Sequence, residues 1–282
     1  MPLPSSGQID LNAIHVEAGG SSGTQASLND SDIRAMIGKG SQATNHAFSN
    51  YYGVSSASPT IAYKGRLQTT SDGFPNGSIS LSSGSKIVVA AMQLATAGQN
   101  NSYINMGGTN MTQAVRLSSW GNNSSGVNIG AGGDVAIYYL VSSASGSTYF
   151  SGNGGGGRSC CEIFEITGYN SSTPTVTGSS TNINNIGANG STASGSLTLN
   201  ETYNGATIIA GRGHYGDNTV SPSSASISQV KLELASSHFS IYKSGVSAGN
   251  TTYTATSNNP VDTTYPYTQR NGLFVMAGAS WK

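Results

Sequence analysis

Glu162 and Glu165 are the closest acid pair in the long C-terminal part of the chain. Paired carboxylates are what glycosidic-bond hydrolysis requires. The surrounding run, Cys160-Cys-Glu-Ile-Phe-Glu-Ile-Thr, reads as a strand, and positions three apart on a strand face opposite ways. The pair therefore cannot flank one bond, and each carboxylate is expected in an ion pair or in solvent. The four histidines, His15, His46, His214 and His238, are scattered, with no pair at the short helical spacing of zinc ligands. Asp134 stands alone after Gly132-Gly133, too little for calcium. Gly154–Gly157 with Arg158 lacks the Lys-Ser/Thr ending of a phosphate loop. The best cluster is Gly211-Arg-Gly-His-Tyr-Gly-Asp217, which gathers Arg212, His214, Tyr215 and Asp217 on an apparent glycine-rich loop after a strand. A nucleophile there would have to come from the abundant serines, and no nucleophile elbow is expected among them. The cluster is read as a surface-binding or plain hairpin loop. No catalytic residue, metal site or cofactor is expected.

Composition narrows the function classes further. Only 9% of the 282 residues are charged, against roughly 25% in an average domain. Twelve acids balance twelve bases. No basic stripe exists to neutralise phosphates, so nucleic-acid partners are not expected. Polarity comes instead from Ser, Thr, Asn and 38 Gly. Such a bias suits disorder, but regular β-branched and aromatic runs argue for an ordered body. The two cysteines, Cys160 and Cys161, are adjacent, so their thiols should diverge and form no disulfide. That usage suits folding in a reducing cytoplasm. The opening Met1-Pro-Leu-Pro-Ser-Ser-Gly has no basic or apolar signal region. The longest apolar stretch, Ile87 to Leu94, is too short to span a bilayer. Membrane insertion is not expected, and any exit from a cell would be by lysis.

The chain changes character near residue 55. Before it lie three short helix-like pieces: Ile9–Gly20, Ser27–Gly38 and Asn45–Gly53. Asp10 or Asn12 suits the first N-cap, and Ser27-Leu-Asn-Asp30 has capping-box spacing. Their apolar positions are Ile9, Leu11, Ile14 and Val16, then Leu28, Ile33, Met36 and Ile37, then Phe48, Tyr51 and Tyr52, all but Val16 forming the candidate docking set. No piece is long enough to hold alone, so these residues are expected to pack together or dock on a partner. Residues 56–78 read as a connector, with one strand near Thr60–Tyr63. Over 79–282, about a dozen short apolar runs separated by Gly-Gly, Asn-Gly and Ser-Gly turns predict an antiparallel, jelly-roll-like β-sandwich. Val135-Ala-Ile-Tyr-Tyr-Leu-Val141 reads as a central strand covered on both faces. Most of the 14 Tyr and Trp120 fall in this body among Asn, Ser and Gly, the makings of a sugar- or protein-binding surface.

Two resemblances follow from these residues. Leu3-Pro-Ser-Ser-Gly-Gln-Ile-Asp-Leu, Ile14-His-Val-Glu-Ala-Gly-Gly, Ser27-Leu-Asn-Asp-Ser-Asp-Ile-Arg, Ile37-Gly and Phe48-Ser-Asn-Tyr-Tyr-Gly together resemble the N-terminal segment of tailed-phage virion proteins. Appendage proteins of marine and cyanobacterial phages carry it in particular. The body resembles a β-sandwich of phage and bacterial surface proteins. That likeness rests on Lys86-Ile-Val-Val-Ala-Ala-Met, Asn105-Met-Gly-Gly-Thr-Asn-Met-Thr, Gly205-Ala-Thr-Ile-Ile-Ala-Gly and Leu273-Phe-Val-Met-Ala-Gly-Ala-Ser-Trp. The resemblance implies a non-enzymatic structural virion protein, docked to other virion proteins through residues 1–55. The sandwich would face outward in a tail fibre or similar appendage. A capsid decoration or head fibre and a carbohydrate-binding receptor module are the alternatives. A homo-oligomer, a trimer by analogy, and host-surface polysaccharide are the implied partners.

Overall fold

The computed structural model describes residues 3–4, 6–18, 21–37, 47–52, 59–71, 73–94, 103–122, 128–152, 158–169, 171–186, 193–201, 205–214, 218–221, 224–233, 236–246, 249–257 and 270–282. The head holds α1 (Leu11–Glu17), α2 (Ser31–Met36) and a 3-10 turn, Phe48–Tyr51. The first half of the body contains β1 (Thr60–Thr69), β2 (Gly77–Leu81), β3 (Lys86–Leu94), β4 (Ile104–Met106), β5 (Thr109–Asn110), β6 (Thr112–Asn122), β7 (Asn128–Ser142), β8 (Gly146–Gly152) and β9 (Ser159–Thr167). The second half contains β10 (Val176–Ile186), β11 (Ala193–Glu201), β12 (Gly205–His214), β13 (Asn218–Ser221), β14 (Ser226–Glu233), β15 (Ser236–Val246), β16 (Gly249–Ser257) and β17 (Arg270–Trp281). The mainly-β, antiparallel sandwich expected from the sequence is therefore present.

The two halves have the same strand order. In the first, β1-β9-β3-β7-β6 makes an inner sheet and β2-β8-β4-β5 an outer one. Strands β5 and β6 are one strand interrupted at Met111, pairing first with β4 and then with β7. Counted so, the inner sheet runs first-eighth-third-sixth-fifth and the outer one second-seventh-fourth-fifth. In the second half, β10-β17-β12-β15-β14 repeats that inner order, and β11-β16-β13 repeats second-seventh-fourth. This is the two-sheet, eight-strand connectivity of a jelly roll, twice in tandem.

Side-chain alternation along the strands makes the four sheets stack. From β3, Ile87, Val89 and Ala91 point one way and Val88, Ala90 and Met92 the other. The first set meets Ala206, Ile208, Ala210, Val275, Ala277, Ala279 and Trp281 of the second half. The other set packs against Leu81, Ile104, Met106 and Phe150 of the first outer sheet. In the second half, Ile209, Phe239, Ile241, Phe274 and Met276 cover Leu197, Leu199, Tyr253 and Ala255 of its outer sheet. The inner sheets thus carry apolar residues on both faces, which is why β3, β9 and β17 read as continuous apolar runs. Each fully buried aliphatic or aromatic side chain contributes about 1.5–3 kcal/mol. Glycine permits the closest approaches: a Cβ on Gly211 would sit 2.2 Å from the Phe239 ring, and one on Gly195 2.2 Å from Phe274 Cβ.

Three sequence expectations change here. Residues 60–69 and 77–81 are strands of the first jelly roll, not a connector. Leu67 and Ile79 pack on its core, a role hidden because alternating Tyr63-Lys-Gly-Arg66 looks solvated. The single sandwich is two. The third helix-like piece is a single 3-10 turn among the described residues.

Candidate functional site

The head residues form a core of their own. Asp10 is the N-cap of α1, its Oδ1 accepting from the Ala13 N–H at 2.7 Å. Ser27 and Asp30 close a turn ahead of α2: Asp30 Oδ2 accepts from the Ser27 N–H at 2.8 Å, and Ser27 Oγ from the Asn29 N–H at 3.1 Å. These ends aim Ile14, Ile33, Met36 and Tyr51 at one another, with Leu3, and all are buried. Ile9, Leu11, Leu28 and Ile37 pack around them. Tyr52 is half-buried, its hydroxyl donating to the Gly7 carbonyl at 2.5 Å. Of the ten residues expected to dock, then, four are interior and Phe48, 40% exposed, is the most open. Val16, 44% exposed, an apolar position of the first piece outside those ten, joins it as an open apolar side chain. The head meets the body where Lys282 Nζ donates to the Met36 carbonyl.

The cluster expected on a loop lies mostly elsewhere. Arg212 and His214 belong to β12, which runs three residues past Gly211, where the sequence predicts the loop to start. Arg212 pairs in register with His238 of β15, and its guanidinium lies near Gly133 of β7. It is a half-buried residue between the inner sheets. Tyr215 and Asp217 lie outside the described residues, as does the His214 side chain.

One end of the space between the inner sheets is polar. Arg66 of β1 donates from Nε and Nη2 to Glu162 Oε1 of β9, at 2.9 and 2.6 Å. Ser228 of β14 bridges them, donating to Glu162 at 2.6 Å and accepting from Arg66 at 2.7 Å. Gln93 of β3 donates to Ser240 Oγ at 3.0 Å and to the Phe239 carbonyl at 3.2 Å. His238 is fully buried beside them, and burial together with the charges of Arg212 and Arg66 lowers its pKa to about 3. These groups join the first jelly roll to the second.

Several further chemistry-bearing groups lie within the first jelly roll. Glu165 faces away from Glu162. Against the upward push of burial, the Ser82 N–H at 2.7 Å and Lys64 at 3.4 Å hold its carboxyl below the usual range. Asp134 is paired with Arg116, yet burial outweighs that partner and raises it. Cys161 lies in the outer core of the first jelly roll and Cys160 on the opposite side, beside Glu162 and Arg66. Burial pushes both thiols up. Lys86, fully buried, donates to the carbonyls of Ser82, Gly84 and Ala144 at 2.6, 2.9 and 2.6 Å.

Two Gly-x-Ser-x-Gly runs escaped the sequence reading, Gly19-Gly-Ser-Ser-Gly23 and Gly245-Val-Ser-Ala-Gly249. The first follows α1 and the second joins β15 to β16, so neither has the strand-to-helix setting of a nucleophile elbow. Among the described residues, no three His, Cys, Asp or Glu converge as metal ligands. No described helix is long and apolar enough to cross a membrane.

Fold and geometry together define a tandem jelly-roll protein with a separately cored helical head. No protein-family model and no curated protein matches the chain. Among solved structures, a capsid protein, "PBCV-1 VP54 fitted into a cryo-EM reconstruction of the virophage Sputnik", aligns at 10% identity over 79% of this chain and 93% of its own. The TM-score of 0.17 is too low for that likeness to carry any argument.

Proposed function

We propose that this chain is a structural virion protein of a tailed bacteriophage. Residues 1–55 seat it on the particle, and the β body faces outward as part of a tail fibre or similar appendage. The observation that supports this most is the division into two unlike units. The head closes its own core of Leu3, Ile14, Ile33, Met36 and Tyr51 and still leaves Val16 and Phe48 open for a partner. The body uses its buried charges on cross-strand pairs such as Arg66–Glu162 and Arg116–Asp134, as a rigid display element would. Its low charge and Ser/Thr/Asn surface suit dense packing of many copies, and weak contacts with a host gain strength from that number. The homo-oligomer, a trimer by analogy, assembles in the host cytoplasm and leaves by lysis.

A capsid decoration or head fibre is the second reading. The tandem jelly roll favours it, because capsids are one of several homes of that architecture, although fold alone does not assign function. Quantitative mass spectrometry of purified particles tests the shared claim: the chain should be present at a fixed multiple of the capsid protein. Gold-labelled antibody against the body then separates the two sites, labelling tail tips or head surface. A chain that washes away from purified particles would refute both.

A further inference from the structure

The tandem repeat supplies an internal control for the surface. Strands β8 and β16 both open on a positive-φ glycine, Gly146 and Gly249, and four residues later both turn an aromatic inward, Phe150 and Tyr253. Between them the outward position is Tyr149 in the first jelly roll and Thr252 in the second. The scaffold is thus satisfied by a small hydroxyl there, while Tyr149 stands 54% exposed. Its neighbours keep the ring open. Ser78 lies opposite on β2, and on the other side Gly107, which has no side chain, bonds the Tyr149 carbonyl at 2.9 Å.

Along the same outward face run Ser147 and Ser151 of β8 and Asn105 of β4. Asn105 is fixed in place: its Oδ1 accepts from the Gly108 N–H at 2.8 Å and its Nδ2 donates to Asn110 at 3.2 Å. Tyr103, 40% exposed, precedes β4 on the same side, about 13 Å from Tyr149 along the strand direction. Strands β2, β4, β5 and β8 contain no Asp, Glu, Lys or Arg. These strands thus offer an anionic ligand no counter-charge, and Lys64, which reaches Ser82 past the end of β2, is paired with Glu165. A neutral sugar chain would find aromatic faces for its C–H surfaces and hydroxyls and amides for its own hydroxyls.

We infer that the outer face of the first jelly roll, centred on Tyr149 with Tyr103, Asn105, Ser78 and Ser151, binds an uncharged polysaccharide. The inference rests on the outward display proposed above and gives that display a ligand class. The second outer sheet, with Thr252 in place of Tyr149, does not share the site.

Affinity electrophoresis of the full chain tests it, in gels containing dextran, arabinogalactan, galactomannan or mixed-linkage glucan, with dextran sulfate as the charged comparison. At least one neutral gel should retard the protein. Tyr149→Thr, which copies the second repeat, should weaken that retardation at least fivefold, and Thr252→Ala should leave it unchanged. Circular dichroism of both variants would confirm that the fold is kept. Retardation by none of the neutral gels, by dextran sulfate alone, or equally for Tyr149→Thr would overturn the inference. So would self-association that depends on Tyr149 without sugar retardation. Particle location is read separately, so failure of the gels leaves the virion assignment standing and failure of the virion assignment is visible without them.

Discussion

Tyr139 and Tyr242 occupy the same place in the two jelly rolls, each seven residues ahead of its positive-φ glycine, and each reaches across to the other repeat. Tyr139 of β7 meets Trp281 of β17 edge-on at 5.9 Å, and Tyr242 of β15 meets Phe164 of β9 at 5.2 Å. Each tyrosine sets its ring against an aromatic of the other repeat, though not against equivalent positions: Trp281 corresponds in register to Ile166, and Phe164 to Ala279. The central layer is thus an interface between two folded copies of one architecture as well as a core.

Trp281→Ala should expose that layer. The ring is fully buried, so its loss should cost about 3–5 kcal/mol. Tyr242→Ala, half-buried, should cost less. Urea unfolding followed by tyrosine and tryptophan signals in turn would check it, since a loosened interface should also split one transition into two.

The Arg66–Glu162 pair should behave as a buried ion pair. Arg66→Met leaves the Glu162 carboxylate uncompensated at 0% exposure and should cost about 3–5 kcal/mol. The double variant Arg66→Met, Glu162→Met should recover most of the loss. A double-mutant cycle in denaturant measures the coupling directly.

His238 should make the body acid-sensitive. Its folded pKa, about 3, lies below the unfolded value of about 6.5. Between those values the unfolded chain binds the extra proton, so stability falls as pH drops, by up to about 1.4 kcal/mol per unit from this group. Facing charges are Arg212 and Arg66, with Glu162 beyond them. His238→Gln should flatten the melting temperature against pH from 6 to 4.

Gly211→Ala should be costly for its size. The added methyl would meet the Phe239 ring at 2.2 Å, and Phe239 is itself wedged beside Phe274. Overpacking of this kind costs about 1–3 kcal/mol. Gly146→Ala meets no atom within 4 Å, and its penalty should come from the positive φ alone. Thermal melts of the two variants separate the causes.

Much of the β body could be read from periodicity. The run expected to be covered from Val135 to Val141 is buried on both faces only as far as Tyr138, with Val135 and Ile137 toward the second repeat and Ala136 and Tyr138 toward the outer sheet, and Val141 is 45% exposed. Duplication could not be read, because the repeats share connectivity and burial but few residue types: Ile87-Val-Val-Ala-Ala faces Ala206-Thr-Ile-Ile-Ala at the same place. The polar seam was equally hidden. Gln93, Glu162, Arg212 and His238 come from four strands far apart in sequence, and only their convergence explains an inward-facing polar side chain in each. Among the head residues, apolar spacing found the core of Ile14, Ile33, Met36 and Tyr51. It could not tell a core from a docking face, since both need the same side chains.

A subnanometre cryo-electron microscopy map of the intact parent particle bears most directly on the virion assignment. The account predicts density for a four-layer slab projecting from the particle, with the head's Val16 and Phe48 seated against a neighbouring subunit. Particles with no such density, or a slab whose head touches no other protein, would contradict it.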